Sequence, residues 1–129
     1  MKYRIWLVAL SISVALTACG SLDTEAPVVV GTDPPNGSRD IDPGLTSISV
    51  TFSKAMLDQS WSWADGGEDR FPRITGNPSY DSKFETNTIP VILEPDKTYV
   101  IWINRGRLLN FKDEAGNPAA PYRLTFKTR

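Results

Sequence analysis

Two tryptophans two residues apart are the side chains in this sequence best suited to holding a ligand. On a strand, Trp61 and Trp63 would project from one face, about 6.5 to 7 Å apart. An indole ring stacks on the C–H surface of a sugar, and its N–H bonds a hydroxyl. Together with Tyr80, they form a candidate carbohydrate site. The simpler interpretation is that both indoles pack against the domain, and we expect Trp102 to be buried between strands.

Two acidic stretches contain the oxygen ligands that Ca²⁺ prefers. Asp65, Glu68 and Asp69 surround a pair of glycines, and a second set lies between Asp113 and Asn117. The spacing of the first set does not match an EF-hand loop, and a solvated acidic loop is its simpler interpretation. The sequence therefore predicts no metal site.

Histidine is absent, and the chain has one cysteine, Cys19. The lack of imidazole excludes Ser-His-Asp and Cys-His nucleophile systems and any zinc site built on histidine. With 15 acidic residues, some carboxylates lie close together in any fold. Proximity without a cleft and a raised pKa is no evidence for glycoside hydrolysis. We predict a protein that is not an enzyme and that needs no cofactor.

The N-terminus has the pattern of an export signal. Lys2 and Arg4 precede an apolar run from Ile5 to Leu16 that only two serines interrupt. Such a run is typical of a secretory signal peptide. It is also shorter than the roughly 20 apolar residues that a membrane-spanning helix needs. We predict a signal helix over residues 1–18 that is cleaved from the mature protein.

The run Leu16-Thr17-Ala18-Cys19-Gly20 resembles the lipobox of bacterial lipoproteins. The resemblance implies cleavage before Cys19 and lipid, including palmitate, on that residue. Lipidation also explains a lone thiol in an exported chain, because Cys19 has no intramolecular disulfide partner. Each buried CH₂ contributes about 0.8 kcal/mol, so several acyl chains would hold the protein at a membrane. The alternative is an ordinary secretory signal followed by a chance cysteine.

The remaining sequence predicts one all-β domain. Its 10 prolines and 9 glycines divide it into short segments separated by turns. Over the whole chain, the 14 basic and 15 acidic residues are spread without long runs, so no basic face for nucleic acid is expected. We predict a lipidated tether over residues 19–25 and a single domain over residues 26–129. If the host has an outer membrane, Gly20 resembles the residue found in lipoproteins sent there.

Alternating apolar residues predict about seven short strands. The clearest pattern lies between Ser47 and Lys54, and Thr98 to Ile103 is apolar on both faces, as in a central strand. Pro90 indicates an edge position for the strand over Thr88 to Glu94. The other predicted strands are Val28 to Val30, Ser79 to Phe84 and Tyr122 to Lys127, with a long loop and a Trp-bearing segment between Ala55 and Asn77.

Five motifs occur in a fixed order: Pro34-Pro35-Asn36-Gly37-Ser38, Ile48 to Met56, Leu93 to Tyr99, Lys112 to Pro118, and Leu124 to Thr128. Together they resemble the bacterial Ig-like domain of the surface-layer, or SbsA, type. The resemblance implies an immunoglobulin-like β-sandwich, in which Tyr99 suits a tyrosine corner. It also implies that Asp113 to Asn117 is a structural turn. The insertion from Gln59 to Tyr80 departs from the compact form of this domain.

These features predict a lipid-anchored, extracytoplasmic module of the bacterial cell envelope that binds or spaces other molecules without bond chemistry. Its expected partners are the membrane, through lipid on Cys19, and a cell-envelope protein or a glycan. One alternative is a carbohydrate-binding lipoprotein that uses exposed Trp61 and Trp63. Another is an accessory subunit whose partner packs against the insertion or against a sheet edge.

Overall fold

The computed structural model describes residues 22–129, which form two antiparallel β-sheets packed into a sandwich. The predicted signal helix and Cys19 lie outside the described residues. Within residues 22–129, no helix is long and apolar enough to cross a membrane. The strands are β1 (Val29–Asp33), β2 (Ser47–Phe52), β3 (Trp63–Ala64), β4 (Arg73–Ile74), β5 (Ser79–Tyr80), β6 (Thr86–Ile92), β7 (Thr98–Ile103) and β8 (Tyr122–Lys127).

The larger sheet has five strands and the smaller has three. In the larger sheet β2 lies between β1 and β6, and the two short strands β4 and β5 pair with the other side of β6. In the smaller sheet β7 lies between β3 and β8, as predicted for a strand that is apolar on both faces. The predicted all-β sandwich is confirmed, with eight strands in place of about seven, three of which have only two residues.

The core lies between the sheets because apolar side chains alternate with polar ones along the long strands. In β2 the side chains of Ile48, Val50 and Phe52 are buried, whereas the intervening serines and threonine are partly exposed. The neighbouring strand β6 adds its own buried row, and the opposing side chains come mainly from β7 and β8 of the smaller sheet. The fully buried large side chains include Tyr99, Phe111, Phe126, Ile101, Ile103 and Leu124.

Tyr99 forms the expected corner at the start of β7. Its hydroxyl accepts a 2.7 Å hydrogen bond from the backbone N–H of Glu94, and its ring stacks on Phe126 with centroids 5.5 Å apart. The backbone carbonyl of Tyr99 also accepts a bond from the Thr125 hydroxyl. These contacts fix the turn before β7 to both β7 and β8.

The predicted edge position of Pro90 is wrong, because β6 has neighbours on both sides. Pro90 lies opposite Ser47 of β2, and on its other side it falls between the residues that pair with β4 and β5. The chain leaves the ladder at Gly76, and the Pro90 carbonyl accepts a bond from the N–H of Thr75. The proline therefore sits at an interruption of the neighbouring strand, where its missing N–H donor costs little.

Candidate functional site

The Trp-bearing segment is held beside the loop that follows β7. The Ser60 hydroxyl donates to the carbonyl of Asn110 at 2.5 Å, and the Ser62 hydroxyl accepts from the N–H of Asn110 at 3.1 Å. The carbonyl of Ser62 accepts from the N–H of Asn104 at 3.1 Å. Ser62 is buried, and Trp61, Ser62 and Trp63 all line the same opening in the surface.

Both indoles are half-buried and differ in their contacts. The Trp63 Nε1 donates a 2.8 Å hydrogen bond to Oδ1 of Asn87, and its ring meets Phe111 edge-on at 5.5 Å. The Trp61 ring lies 6.3 Å from the ring of Tyr80, tilted by 54°. The predicted carbohydrate-binding role requires exposed indole faces. Here each indole offers only part of its surface, and that role remains a prediction.

These two tryptophans line one side of a groove of about 430 Å³, which we call the aromatic groove. Its volume lies within the range of small-molecule sites in proteins. Its lining mixes apolar surface with neutral hydrogen-bonding groups and carries no titratable side chain. The lining residues are Trp61, Ser62, Trp63, Ile74, Gly76, Asn77, Pro78, Ile89, Leu108 and Asn110. The groove therefore suits a neutral ligand with both an apolar face and hydroxyl or amide groups.

Two buried polar atoms next to the indoles have no hydrogen-bond partner: the Tyr80 hydroxyl and Nδ2 of Asn87. The two residues lie opposite each other on β5 and β6. Burial, and next the carboxylate of Asp58, raise the pKa of Tyr80, so its hydroxyl stays protonated at neutral pH. An unpaired buried polar group costs about 1 to 3 kcal/mol, so a bound water or ligand oxygen at either atom would be favourable.

Asn87 was not among the site residues predicted from the sequence. The predicted strand begins at Thr88, whereas β6 begins at Thr86 and includes Asn87 in its core-facing row with Ile89. A polar side chain at an apolar position of a period-two pattern is the signal that could have identified it. Since Asn87 is fully buried and bonded to Trp63, it belongs to the same cluster as the indoles.

Trp102 lies on the outer face of the smaller sheet, so its predicted burial between strands is wrong. Tyr99, Ile101 and Ile103 occupy the core face of β7, which leaves the intervening positions facing outward. The Trp102 ring is half-buried, with the Arg105 guanidinium 5.1 Å from its centroid. It lies opposite Ala64 in the sheet and forms no part of the aromatic groove.

The first acidic stretch bonds to neighbouring protein groups. Oδ1 of Asp65 accepts a 2.8 Å bond from the N–H of Gly67, and Glu68 lies 3.5 Å from the guanidinium of Arg123. Within residues 22–129, no three His, Cys, Asp or Glu side chains gather in a geometry suited to a metal ion.

The second acidic stretch forms the structural turn that the resemblance implied. Oδ1 and Oδ2 of Asp113 accept bonds from the N–H and Nδ2 of Asn117, at 2.8 and 2.9 Å, and Gly116 has a φ of +89°. Asp113 also lies 2.7 Å from Nζ of Lys54. Burial by itself raises the pKa of Asp113, but the Lys54 ammonium and the Asn117 donors outweigh it and lower that pKa to about 2.

Comparison with known proteins identifies the family of the domain. Residues 23–128 match the family described as bacterial Ig-like domain, which confirms the resemblance drawn from the five motifs. A crystal structure of the S-layer protein SbsC has 21% sequence identity and a TM-score of 0.52, and the match covers 81% of this chain and 14% of that one. A structure of SbsC domains 1–6 matches with 21% identity and a TM-score of 0.53, over 82% of this chain and 14% of that one.

The likeness to SbsC concerns the fold. This chain spans only 14% of the length of each SbsC structure, so it corresponds to a small part of the S-layer protein. No curated protein matches the sequence.

Proposed function

The chain belongs to the family of bacterial Ig-like domains, and on that premise we propose that it is a lipid-anchored, non-catalytic module of the bacterial cell envelope. The observation that carries the proposal is the position of this domain in the sequence. Its family match begins at residue 23, four positions after Cys19 of the lipobox-like run. Lipid on Cys19 would place the sandwich directly outside a membrane.

The filled interior of the sandwich supports a binding or spacing role. Side chains from both sheets pack together with no accessible catalytic group among them, and the aromatic groove is lined by uncharged residues. General acid–base catalysis needs a titratable group within reach of the substrate. The proposed partners are therefore the membrane and a cell-envelope protein or glycan, recognised through surface contact.

The anchor is tested by phase partitioning of the full chain produced in a bacterium. We expect the parent protein to enter the detergent phase of a detergent–water separation, because acyl chains supply its affinity for lipid. Cys19→Ala should give an unprocessed or water-soluble form. Ser21→Ala is the matched control and should partition like the parent. A Cys19→Ala protein that has lost residues 1–18 and still enters the detergent phase would refute lipidation.

A second candidate function, glycan binding, is favoured by one observation. The indoles of Trp61 and Trp63 line the same groove as the amides of Asn77 and Asn110. Apolar rings beside fixed amide groups are the combination that recognises a sugar, with its C–H face and hydroxyls. If the two indoles faced away from Asn77 and Asn110, the apolar and the hydrogen-bonding parts of such a site would lie apart.

Glycan binding is tested by tryptophan fluorescence of residues 22–129 titrated with soluble peptidoglycan fragments and with cell-wall and host polysaccharides. We expect a saturable shift with one of these glycans that is lost in Trp61→Ala. Trp102→Phe is the matched control, because Trp102 lies outside the groove. A shift that persists in Trp61→Ala, or the absence of a shift with every glycan, would indicate that the indoles only pack against the domain.

A further inference from the structure

The segment that follows Cys19 is bonded to one end of the sandwich. Nζ of Lys54 lies 2.5 Å from Oδ2 of Asp23 and donates to the carbonyl of Glu25 at 2.9 Å. Nδ2 of Asn117 donates to the carbonyl of Asp23 at 2.9 Å. We call Asp23, Glu25, Lys54, Asp113 and Asn117 the N-terminal clamp. Residues 23–25 of the predicted tether are therefore part of the folded domain.

The base of the clamp is buried and fully bonded. The Asp113 side chain is 2% exposed, and its two oxygens meet Lys54 and both nitrogen donors of Asn117. Lys54 is shared between the carboxylates of Asp113 and Asp23, at 2.7 and 2.5 Å. A buried carboxylate that holds a lysine in place gives the incoming chain a fixed partner, because neither side chain can leave without exposing an unpaired charge.

The chain stays fixed between the clamp and the first strand. Pro27 is buried, and Val28 and Ser53 exchange two bonds: the N–H of Val28 donates to the Ser53 hydroxyl at 3.0 Å, and the N–H of Ser53 donates to the Val28 carbonyl at 2.9 Å. Pairing of β1 with β2 then begins at Val29 and Phe52. These bonds fix the chain to the sandwich from Asp23 onward.

We infer that the N-terminal clamp orients the protein on a membrane, with the clamp end of the sandwich against the lipid headgroups. The inference rests on the proposed lipidation of Cys19. Three residues lie between Cys19 and Asp23, so four steps of about 3.3–3.6 Å separate them and the segment reaches at most roughly 14 Å. A long tether would allow any orientation, whereas this short one holds the clamp end close to the anchor.

The clamp end carries three exposed apolar side chains that suit a headgroup surface. Leu22 precedes the clamp directly and is 88% exposed. Leu57 is bonded through its N–H to the carbonyl of Lys112, and the neighbouring Met56 is bonded through its N–H to the carbonyl of Phe84. These bonds place the exposed side chains of Leu57 and Phe84 at one end of the domain.

The charge at this end determines what holds it to the membrane. The loops at this end carry the acidic residues Asp58, Asp81, Glu85 and Glu114 and the basic residues Lys83, Arg105, Arg107 and Lys112. A surface of mixed charge has little net attraction to anionic lipids. The lipid on Cys19 must therefore supply the affinity, and the clamp supplies the orientation.

The test uses the purified full-length lipoprotein in vesicles of phosphatidylethanolamine and phosphatidylglycerol that contain a headgroup-linked quencher. Because the native cysteine is the lipidated one, an introduced cysteine is the free thiol that takes a fluorophore. Ser82→Cys labels the clamp end, and Asp96→Cys labels the opposite end, before β7. The long strands have six or seven residues and span about 20 Å, so the two labels differ in height.

We expect quenching at Ser82 to be several-fold stronger than at Asp96. Asp23→Lys, which repels Lys54 and frees the segment, should remove most of this difference. Asp40→Lys makes the same charge change at the opposite end, where Asp40 lies near Arg129, and should preserve the difference. Vesicle flotation is measured in parallel, so that loss of the anchor and loss of orientation are separate readouts.

Equal quenching at the two ends of a parent protein that floats with the vesicles would overturn the orienting role and leave the lipid anchor standing. A parent protein that does not float would overturn lipidation, and the orientation with it. A difference that persists in Asp23→Lys would also contradict the clamp, because orientation would then arise without it.

Discussion

The N-terminal clamp and the polar side chains beside the aromatic groove both lie at the border of the core, but they differ in how fully their atoms are bonded. In the clamp, the buried carboxylate of Asp113 meets a cation and two nitrogen donors. Beside the groove, the Tyr80 hydroxyl and one amide nitrogen of Asn87 are buried without a partner. A fully bonded cluster fixes structure, whereas unpaired buried groups suit the binding of a water or a ligand.

The largest effect is expected from breaking the clamp at its buried residue. Asp113→Ala leaves the Lys54 ammonium without its buried partner and removes two acceptors from Asn117. We expect the free energy of unfolding to fall by about 3 kcal/mol, as for other broken buried ion pairs. Urea denaturation measures this loss. Glu68→Ala, which removes an exposed ion pair with Arg123, is the control and should change the midpoint little.

Acid should weaken the clamp over a defined pH range. The pKa of Asp113 is lowered from 3.8 to about 2 in the folded protein, so the folded state favours the ionised carboxylate. That stabilisation is complete above about pH 5 and is lost as the pH falls through 3.8 toward 2. The urea midpoint of the parent should decrease across this range more steeply than that of Asp113→Asn. Parallel pH profiles for the two proteins would contradict the assignment.

Two tyrosines extend the comparison, because the same change should have opposite effects on them. The Tyr99 hydroxyl is bonded to the N–H of Glu94, which has no other partner among the described contacts. Tyr99→Phe removes this bond within a buried corner. We expect a loss of about 1 kcal/mol in the free energy of unfolding, measured by urea denaturation. An unchanged midpoint would show that water replaces the hydroxyl.

The smallest effect, and one of opposite sign, is expected beside the groove. Tyr80→Phe removes a hydroxyl that is buried without a partner, so its desolvation cost disappears. We expect the free energy of unfolding to stay equal or to rise by up to about 1 kcal/mol. A clear loss of stability would mean that this hydroxyl is bonded in solution, and would remove the contrast with the clamp.

The sequence predicted the long strands well and the local contacts of the insertion poorly. The bounds of β7 and β8 match the prediction, and those of β2 lie close to it, because alternation of apolar residues is a local property of the chain. The two-residue strands β3, β4 and β5 exist only through pairing with β6 and β7. Such pairing depends on residues distant in sequence and leaves no periodic pattern.

The two clusters were predictable to different degrees. Trp61, Trp63 and Tyr80 were singled out from their residue types, and the structure places both tryptophans in the lining of the groove and the Tyr80 ring beside Trp61, outside that lining. Asn87 was missed because the predicted strand began two residues too late. The turn between Asp113 and Asn117 was expected from the resemblance, but the contacts that join Lys54 and this turn to residues 23–25 were not, because they connect residues 29 to 94 positions apart. For this reason the sequence alone predicted residues 19–25 to be a tether outside the domain.

The most direct test of the central proposal is the intact mass of the protein extracted from bacterial membranes. A lipid-anchored module predicts a chain that begins at Cys19 and carries the added mass of a diacylglyceryl group and an acyl chain. Tandem mass spectrometry should place that mass on the N-terminal cysteine. A mature chain that begins elsewhere, or one with an unmodified Cys19 thiol, would contradict the account.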